Sequence, residues 1–329
     1  MQDRAPRITG IGHAVPPRVV TNDDLAARLD TSDEWIRSRS GIGTRHHVDP
    51  GTATSDLAAE AGALALKHDM RSGGTGHVDL VVLATTTPDR TCPGTAPLVA
   101  TRLGMGGIPA FDVNAVCSGF LYGLQTATAM VAGGAAGSVL LVAADTFSTI
   151  VDPDDRRTAF LFGDGAGAVV LRAGTEPTVH AIDLGSDGTQ EDLIITPGGG
   201  SRSPGSDERW FAMQGQAVYR QAVDRMTRST RGVLERVGWG VDEVDRFVGH
   251  QANSRILEAV AQRLGLPVER VVMNLDRVGN TAAASIPIAL SDAHDRGLLV
   301  GGQKLALAAF GGGATWGAAA LTWPDLPRA

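Results

Sequence analysis

An internal repeat restricts the fold of this chain more than any other feature of its sequence. Segments of the second half resemble segments of the first half in the same order, displaced by roughly 150 to 165 residues. Residues 260–265 (VAQRLG) match residues 99–104 (VATRLG), and the glycine-rich turn and apolar strand at 311–321 parallel those at 163–171. Residues 244–249 also parallel the strand pattern at 78–86, and residues 271–275 match residues 111–115. Four such matches in one order favour two similar halves over a coincidence of common patterns.

Each half alternates apolar stretches that are typical of buried strands with stretches that are typical of helices. Residues 78–86 and 305–310 are examples of the strands, and residues 118–132 form an apolar helix pattern. This alternation predicts an α/β protein with helices on the faces of the sheets. We expect residues 1–174 to form an N-terminal half and residues 175–329 a C-terminal half of one compact unit.

Composition excludes several classes of function. The 329 residues carry a net charge of −7, which argues against a general nucleic-acid binder. No apolar run is long enough to cross a membrane, and the N-terminus lacks the order of a secretion signal, so we expect a cytoplasmic protein without membrane attachment. The two cysteines, Cys92 and Cys117, provide neither a disulfide framework nor metal-ligand spacing.

Cys117 lies where a predicted buried strand, residues 110–116, turns into the helix that begins at Ser118. The N-terminus of a helix offers unpaired N–H groups and the positive end of the helix dipole. Both favour the thiolate, which is the nucleophilic form of cysteine. The alternative is that Cys117 is a small buried apolar residue, as many free cysteines are.

Two polar residues in the second half are candidates to act with Cys117. If a pseudo-twofold axis relates the halves, the loop that carries Cys117 is the counterpart of the loop that carries Asn280, and His250 follows a buried strand nearby. Considered alone, each of these two residues has a structural explanation. Together the three predict a thiol, an imidazole and a carboxamide at one site.

Cysteine with histidine and asparagine also occurs in papain-like hydrolases. The three glycines that follow Phe310 favour a different chemistry, because glycine allows backbone amides to approach a substrate oxygen closely. With the N–H of Cys117 they can form an oxyanion hole for acyl transfer. The mutual resemblance of the two halves also argues against a two-domain protease.

A set of motifs covering the chain from about residue 8 to residue 323 resembles the β-ketoacyl-acyl-carrier-protein synthase III family. The resemblance implies a thiolase-like fold, in which duplicated halves form a five-layered αβαβα sandwich, and a homodimer. The motifs are residues 31–36 (TSDEWI), 40–42 (SGI), 115–120 (AVCSGF), 162–167 (FGDGAG), 250–253 (HQAN), 279–281 (GNT) and 310–313 (FGGG).

The resemblance also implies a decarboxylating condensation. Cys117 would take an acyl group from acyl-coenzyme A, and malonyl-acyl carrier protein would then lose carbon dioxide and attack the acyl-cysteine. His250 and Asn280 would donate hydrogen bonds to the malonyl thioester oxygen, and the backbone amides of Cys117 and Gly312 would form the oxyanion hole. Acyl-coenzyme A is a substrate here, and no cofactor or metal is implied.

Further residues receive binding roles from the same resemblance. Trp35 and Arg39 would sandwich the adenine of coenzyme A, and Arg156 would contact the nucleotide. Arg157 departs from the small residue that is common in the family at this position. The pantetheine tunnel would be lined by Met213, Gly215, Tyr219 and Asn253. Three arginines could form a basic rim for the acidic carrier protein, although solvated helix faces explain them equally well. They are Arg220, Arg255 and Arg263.

Two departures from the family pattern concern the acyl pocket. Cys92 stands where acetyl-preferring members often carry an aromatic residue, and Ala314 replaces a bulkier residue. Both changes remove volume, so we expect acyl groups larger than acetyl. Fatty-acid initiation and polyketide priming are both open at this point. A relative that acylates an oxygen or nitrogen acceptor without decarboxylation is an alternative, and a non-catalytic subunit is a third possibility that the presence of Cys117 disfavours.

Overall fold

Two large β-sheets organise the protein, and the computed structural model describes residues 4–328. The strands are β1 (Ala5–Ala14), β2 (Val19–Thr21), β3 (Thr44–His46), β4 (Leu80–Ala84), β5 (Ala110–Val113), β6 (Ser138–Asp145), β7 (Gly165–Gly174), β8 (Val179–Ser186), β9 (Ile194–Ile195), β10 (Ala212–Met213), β11 (Arg246–Gly249), β12 (Lys304–Gly311) and β13 (Thr315–Thr322). The helices are α1 (Asn22–Ala26), α2 (Asp33–Ser40), α3 (Thr54–Arg71), α4 (Ala96–Arg102), α5 (Gly119–Ala132), α6 (Gly215–Val237), α7 (Ser254–Leu264), α8 (Leu275–Val278) and α9 (Ser285–Asp295).

The two large sheets have the same topology. The first runs in the order β1-β7-β6-β4-β5, and the second runs β8-β13-β12-β11, with β4–β6 and β11–β12 as equivalent parallel pairs. Residues 271–275, which match residues 111–115, form only one bridge, Val271 to Phe247, in the place that β5 holds in the first sheet. The strand pairing ends there because the N–H of Asn274 donates to the side chain of Gln251 and not to a strand.

Helices form three layers, one on the outer face of each sheet and one between the sheets. Helix α3 covers the outer face of the first sheet, and α6 covers the outer face of the second. Helices α5 and α9 lie between the sheets and contact both. Helix α5 is suited to this place because its residues are small or apolar almost all round, and Phe120, Leu121 and Leu124 are fully buried. The predicted five-layered αβαβα sandwich is thereby confirmed.

The halves meet at two short 3₁₀ turns, Val116–Ser118 before α5 and Ala282–Ala284 before α9. Val116 and Ala282 share a φ of 47°, and each donates its N–H to the side-chain oxygen of the asparagine two residues earlier, at 3.2 Å and 3.0 Å. A Cβ on Gly119 would lie 3.2 Å from that of Ala283, so the two turns are in contact. Residue by residue, Asn280 is the counterpart of Asn114, and Cys117 is the counterpart of Ala283.

The turn at Cys117 also shortens the preceding strand. The predicted strand at 110–116 ends at Val113, because the chain must leave the sheet to form the 3₁₀ turn at Val116. Between residues 4 and 328, no helix combines the length and apolar character that crossing a membrane requires.

Candidate active site

Cys117, His250 and Asn280 line a single cavity of about 250 Å³ at the contact between the halves. Cys117 comes from the first half, and His250 and Asn280 come from the second half. The rest of the wall is mainly apolar. Its other residues are Arg157, Phe160, Leu161, Phe162, Ile194, Phe211, Met213, Gly215, Val218, Tyr219, Ala222, Met226, Ala252, Asn253, Ile256 and Phe310.

The thiol of Cys117 is almost fully buried, with 7% of the residue exposed. Burial raises the pKa of Cys117, and the nearby carboxylate of Asp145 raises this pKa further. This desolvation opposes the expected effect of the helix N-terminus, which favours the thiolate. Because burial disfavours the charged form, it favours the protonated thiol of Cys117 in the empty site.

Asp145, at the end of β6, connects the Cys117 side of the site to the Asn280 side. One carboxylate oxygen accepts the N–H of Thr86 at 2.7 Å, and the other accepts the N–H of Ala283 at 3.0 Å. Burial raises the pKa of Asp145 to about 6, although these hydrogen bonds act in the opposite direction. Sequence reasoning missed this residue, because an aspartate at the end of a strand has no distinctive local pattern.

His250 follows β11 directly, and its backbone N–H donates to the carbonyl of Ala308 at 2.8 Å. The ring is buried, and Nδ1 lies 2.7 Å from the hydroxyl oxygen of Ser285. Burial lowers the pKa of His250 to about 3. The imidazole is consequently neutral throughout the physiological pH range.

Asn280 is fixed through both its backbone and its side chain. Its N–H donates to the carbonyl of Leu161 at 2.9 Å, and its carbonyl accepts the N–H of Gly163 at 2.9 Å. The side-chain oxygen accepts the N–H of Ala282, which leaves the Nδ2–H groups as the donors of this carboxamide. Asn280 therefore offers hydrogen-bond donors at the cavity, as a neutral His250 can.

A buried arginine supports this wall of the cavity from behind. Arg45 on β3 donates to the carbonyl of Phe160 at 3.0 Å and to the side chain of Asn22 at 2.7 Å. Gly279 has a φ of 72°, and a Cβ there would lie 2.9 Å from the Cβ of Arg45. The segment before Asn280 thus requires glycine both for its backbone conformation and for space. Sequence reasoning did not identify Arg45.

A glycine at the end of β12 allows the chain to approach the backbone of Cys117. A Cβ on Gly311 would lie only 2.7 Å from the backbone nitrogen of Cys117. Gly312 is also buried, and a Cβ on it would face the carbonyl of Ile194 at 3.1 Å. The predicted contribution of the Gly312 amide to an oxyanion hole stays a prediction.

The residues predicted for the pantetheine tunnel lie along the cavity. Met213, Gly215, Tyr219 and Asn253 all line it. The carboxamide of Asn253 also has structural partners: its oxygen accepts the N–H of Arg255 at 2.9 Å and so caps α7, and its nitrogen donates to the carbonyl of Arg39 at 2.9 Å. Arg157, the departure from the family pattern, lines the cavity as well.

Trp35, Arg39 and Arg156 are not among the residues that line the cavity. Trp35 is half-buried, and its ring meets Phe160 of the cavity wall edge-on at 5.3 Å between ring centres. The guanidinium above Trp35 belongs to Arg156, at 5.5 Å from the ring centre, and Arg156 also pairs with Asp30 at 2.8 Å. The cation next to Trp35 is thus Arg156, while the Arg39 side chain is exposed.

The two residues predicted to enlarge the acyl pocket do not line the cavity of this chain. Cys92 is exposed on a surface loop. Ala314 is buried, but the turn between β12 and β13 directs it to Asp187, with which it exchanges two backbone hydrogen bonds of 2.9 and 3.0 Å. These placements depend on how the loops pack, which the family pattern of residue types does not show.

Aromatic residues bound the cavity instead. Phe162 stacks on Phe147 at 4.3 Å and meets Phe211 edge-on at 4.9 Å between ring centres. Phe162 also lines a second cavity of about 770 Å³, which lies among Val20, His47 and neighbouring residues. Phe162 is thus common to the walls of both cavities.

The three arginines predicted for the carrier-protein rim are all exposed. Arg255 is in the first turn of α7, next to the cavity residue Asn253, and Arg220 is in α6, one residue after Tyr219. Arg263 is near the other end of α7, where its carbonyl accepts a hydrogen bond from Arg231. Across residues 4–328, no group of three or more His, Cys, Asp or Glu side chains is arranged to hold a metal ion.

The raised pKa of Cys117 predicts its reactivity in the empty site. In a Cys92→Ser protein, alkylation of Cys117 by iodoacetamide should still accelerate as the pH rises above about 9, beyond the usual thiol range. Asp145→Asn removes a neighbouring negative charge, so it should lower the pKa of Cys117 and speed alkylation at pH 8. Asp79→Asn, beside the opposite end of β6, is the control and should change nothing. A rate that levels off below pH 8 in the parent protein would contradict this account.

Comparison with known proteins adds independent information. The sequence model described as "3-Oxoacyl-[acyl-carrier-protein (ACP)] synthase III" matches residues 111–188, and the model of the C-terminal part of this family matches residues 234–323. A Streptomyces coelicolor protein named β-ketoacyl-[acyl-carrier-protein] synthase III 5 is 57% identical over 328 residues, which cover 97% of each chain.

Two solved structures show the same similarity in three dimensions. The 3-oxoacyl-(acyl carrier protein) synthase III of Pseudomonas aeruginosa has a TM-score of 0.93 and 50% identity, covering 98% of this chain and 100% of that one. The priming β-ketosynthase of a polyketide biosynthetic pathway has a TM-score of 0.92 and 33% identity, covering 99% and 98%. The chain therefore belongs to the β-ketoacyl-[acyl-carrier-protein] synthase III family of thiolase-fold condensing enzymes, and it is an acyltransferase.

Proposed function

We propose that this protein condenses an acyl-coenzyme A starter with malonyl-acyl carrier protein through an acyl-cysteine at Cys117. The observation that carries the proposal is the single cavity in which Cys117, His250 and Asn280 meet. A nucleophile alone would serve simple acyl transfer. Two neutral hydrogen-bond donors beside it provide what a decarboxylation needs.

In the first half-reaction the Cys117 sulfur attacks the thioester carbonyl of acyl-coenzyme A. The bond from the acyl carbon to the coenzyme sulfur breaks, and the Cys117 proton leaves with coenzyme A as its thiol. The backbone N–H groups of Cys117 and Gly312 would stabilise the oxyanion of the tetrahedral intermediate. Because the proton passes to the leaving group overall, no permanent thiolate is required.

In the second half-reaction malonyl-acyl carrier protein loses carbon dioxide, and the electron pair of the broken bond forms an enolate. His250 and Asn280 would donate hydrogen bonds to the thioester oxygen, where the negative charge develops. The enolate carbon then attacks the acyl carbonyl, and the Cys117 thiolate leaves and takes up a proton from solvent. The raised pKa of Cys117 favours this return to the thiol.

Binding of the two substrates is assigned to the cavity and its surroundings. Pantetheine would pass Met213, Gly215, Tyr219 and Asn253, with Arg157 as an additional positive charge. The adenine would stack on Trp35, close to Arg156 and Arg39. For the acidic carrier protein we propose docking at the exposed arginines; they are Arg220, Arg255 and Arg263. We propose no cofactor besides these substrates.

The alternative, acyl transfer to an oxygen or nitrogen acceptor, is not favoured. The similar proteins described above are named as condensing enzymes, and one of them is a priming enzyme of a polyketide pathway. Both donors that a decarboxylation needs are also present at the cavity. Fatty-acid initiation and polyketide priming share this chemistry, so the choice of carrier protein will distinguish them.

The two half-reactions provide the test. Cys117→Ala should abolish the mass increase that acyl-coenzyme A produces on the protein. His250→Ala and Asn280→Ala should keep this acylation but slow carbon dioxide release from malonyl-acyl carrier protein by about 10²- to 10³-fold, as for a lost oxyanion donor. His77→Ala, at an exposed histidine, is the control. An ester or amide product formed without carbon dioxide would support the alternative instead.

We further propose that the protein accepts acyl groups larger than acetyl. Phe162, and not Cys92 or Ala314, borders the cavity in this structure. This ring is common to the walls of the Cys117 cavity and the larger second cavity, so its position would limit the length of an acyl chain. The apolar wall around it suits a hydrocarbon chain.

A panel of acyl-coenzyme A substrates checks this proposal. Acyl groups of four to eight carbons should acylate Cys117 at least as fast as acetyl does. Phe162→Ala should join the two cavities and move the preferred chain length upward. Val19→Ala enlarges the second cavity but keeps the Phe162 side chain, so it should leave the preferred acyl chain length unchanged. A clear preference for acetyl in the parent protein would refute the proposal.

We also propose a homodimer. Within residues 4–328, strand β5 pairs only with β4, so its other edge is unpaired, and Phe111 and Val113 on it are half-buried. An unpaired edge of this kind is suited to pairing with a second copy. Sedimentation velocity at micromolar concentration should therefore give twice the chain mass of 34.1 kDa. A single species of the monomer mass would exclude the dimer under these conditions.

A further inference from the structure

Several hydrogen bonds hold the backbone around His250. Its N–H donates to Ala308, and the side chain of the next residue, Gln251, donates to the carbonyls of Gly249 and Val272 at 2.7 and 3.1 Å. Gln251 is fully buried. The backbone that carries the imidazole is therefore held in place.

The hydroxyl of Ser285, the first residue of α9, indicates which nitrogen of the imidazole carries the proton. The hydroxyl oxygen lies 3.3 Å from the backbone nitrogen of Gln251 and 2.7 Å from Nδ1 of His250. The backbone N–H of Gln251 can only donate, so the oxygen accepts from it. Within residues 4–328 the hydroxyl has no other acceptor for its own proton than Nδ1 of His250.

We propose that Ser285 is a positioning residue that holds His250 in the tautomer with the proton on Nε2. A ring nitrogen that accepts a hydrogen bond carries no proton, so donation by Ser285 to Nδ1 places the proton of the neutral ring on Nε2. His250 then presents an N–H donor, and not a lone pair, at the cavity. The use of this donor in decarboxylation rests on the proposed function.

The choice of tautomer matters because the His250 ring is buried. In water a histidine exchanges tautomers readily, and protonation would make both nitrogens donors. Here desolvation keeps the ring neutral, so one nitrogen must be an acceptor. If that acceptor were Nε2, its lone pair would face the oxygen on which the enolate charge develops, and the interaction would be repulsive.

The internal repeat shows that this hydroxyl is specific to the second half. Ser285 follows the 3₁₀ turn Ala282–Ala284, as Gly119 follows the turn Val116–Ser118. The equivalent position in the first half thus has no side chain that could bond to an imidazole. The hydroxyl occurs in the half that also contains His250.

The chain provides a matched control on the same helix. Ser291 of α9 is also buried, and its hydroxyl oxygen lies 2.8 Å from Nδ1 of another histidine, His13. This second serine–histidine pair does not line the Cys117 cavity. Ser291→Ala removes the same kind of hydrogen bond at another site.

The experiment measures the tautomer directly. Full-length protein labelled with ¹⁵N-histidine gives long-range ¹H–¹⁵N spectra, in which the His250 signals are those absent from His250→Asn. The parent should show a protonated Nε2 and an unprotonated Nδ1. Ser285→Ala should shift both signals toward a mixture of tautomers, Ser285→Thr should retain the parent pattern, and Ser291→Ala should alter only His13.

Kinetics of the two half-reactions separate this proposal from the proposed function. Ser285→Ala should slow carbon dioxide release by about 10- to 100-fold, less than complete loss of an oxyanion donor, and leave acylation of Cys117 nearly unchanged. His250 signals that are unchanged in Ser285→Ala, or a parent protein with its proton on Nδ1, would overturn the tautomer assignment. A changed tautomer with normal carbon dioxide release would support the assignment and refute the role of His250 in decarboxylation.

Discussion

The contact between two 3₁₀ turns is the constraint on which the site depends. The turns Val116–Ser118 and Ala282–Ala284 lie between the sheets, each before a central helix, and they bring residues from distant parts of the chain to one cavity. Glycine at 119 and at 311 permits this approach, because a side chain at either position would meet the opposing turn or the backbone of Cys117. Asp145 then joins the two sides through its carboxylate.

Desolvation at this contact sets the charges of the site. It raises the pKa of the Cys117 thiol and of Asp145, and it lowers the pKa of His250. Each shift disfavours the charged form. A site of this kind stabilises negative charge that develops during reaction, because fixed donors act more strongly away from water and need no rearrangement. The same property makes the tautomer of His250 important, since a neutral ring has only one donor.

Duplication explains how one scaffold produces an asymmetric site. Asn114 and Asn280 make the same turn hydrogen bond, and Val116 and Ala282 share a φ of 47°. The halves differ at the candidate site: the first has Cys117 where the second has Ala283. The first also has Gly119 where the second has Ser285. The backbone geometry is thus repeated, and a few side chains place the proposed nucleophile in one half and the proposed hydrogen-bond donors in the other.

The sequence by itself determined the family, the layered fold and the three residues that meet at the cavity. Repeated segments, apolar strand patterns and short motifs are properties of neighbouring residues in the sequence. They can therefore be recognised without knowing how the loops pack. Only the tertiary structure decided the raised pKa of Cys117, the places of Cys92 and Ala314, the pairing of Trp35 with Arg156, and the contact of Ser285 with His250. These depend on desolvation and on which side chains face each other, and both arise only when the layers pack together.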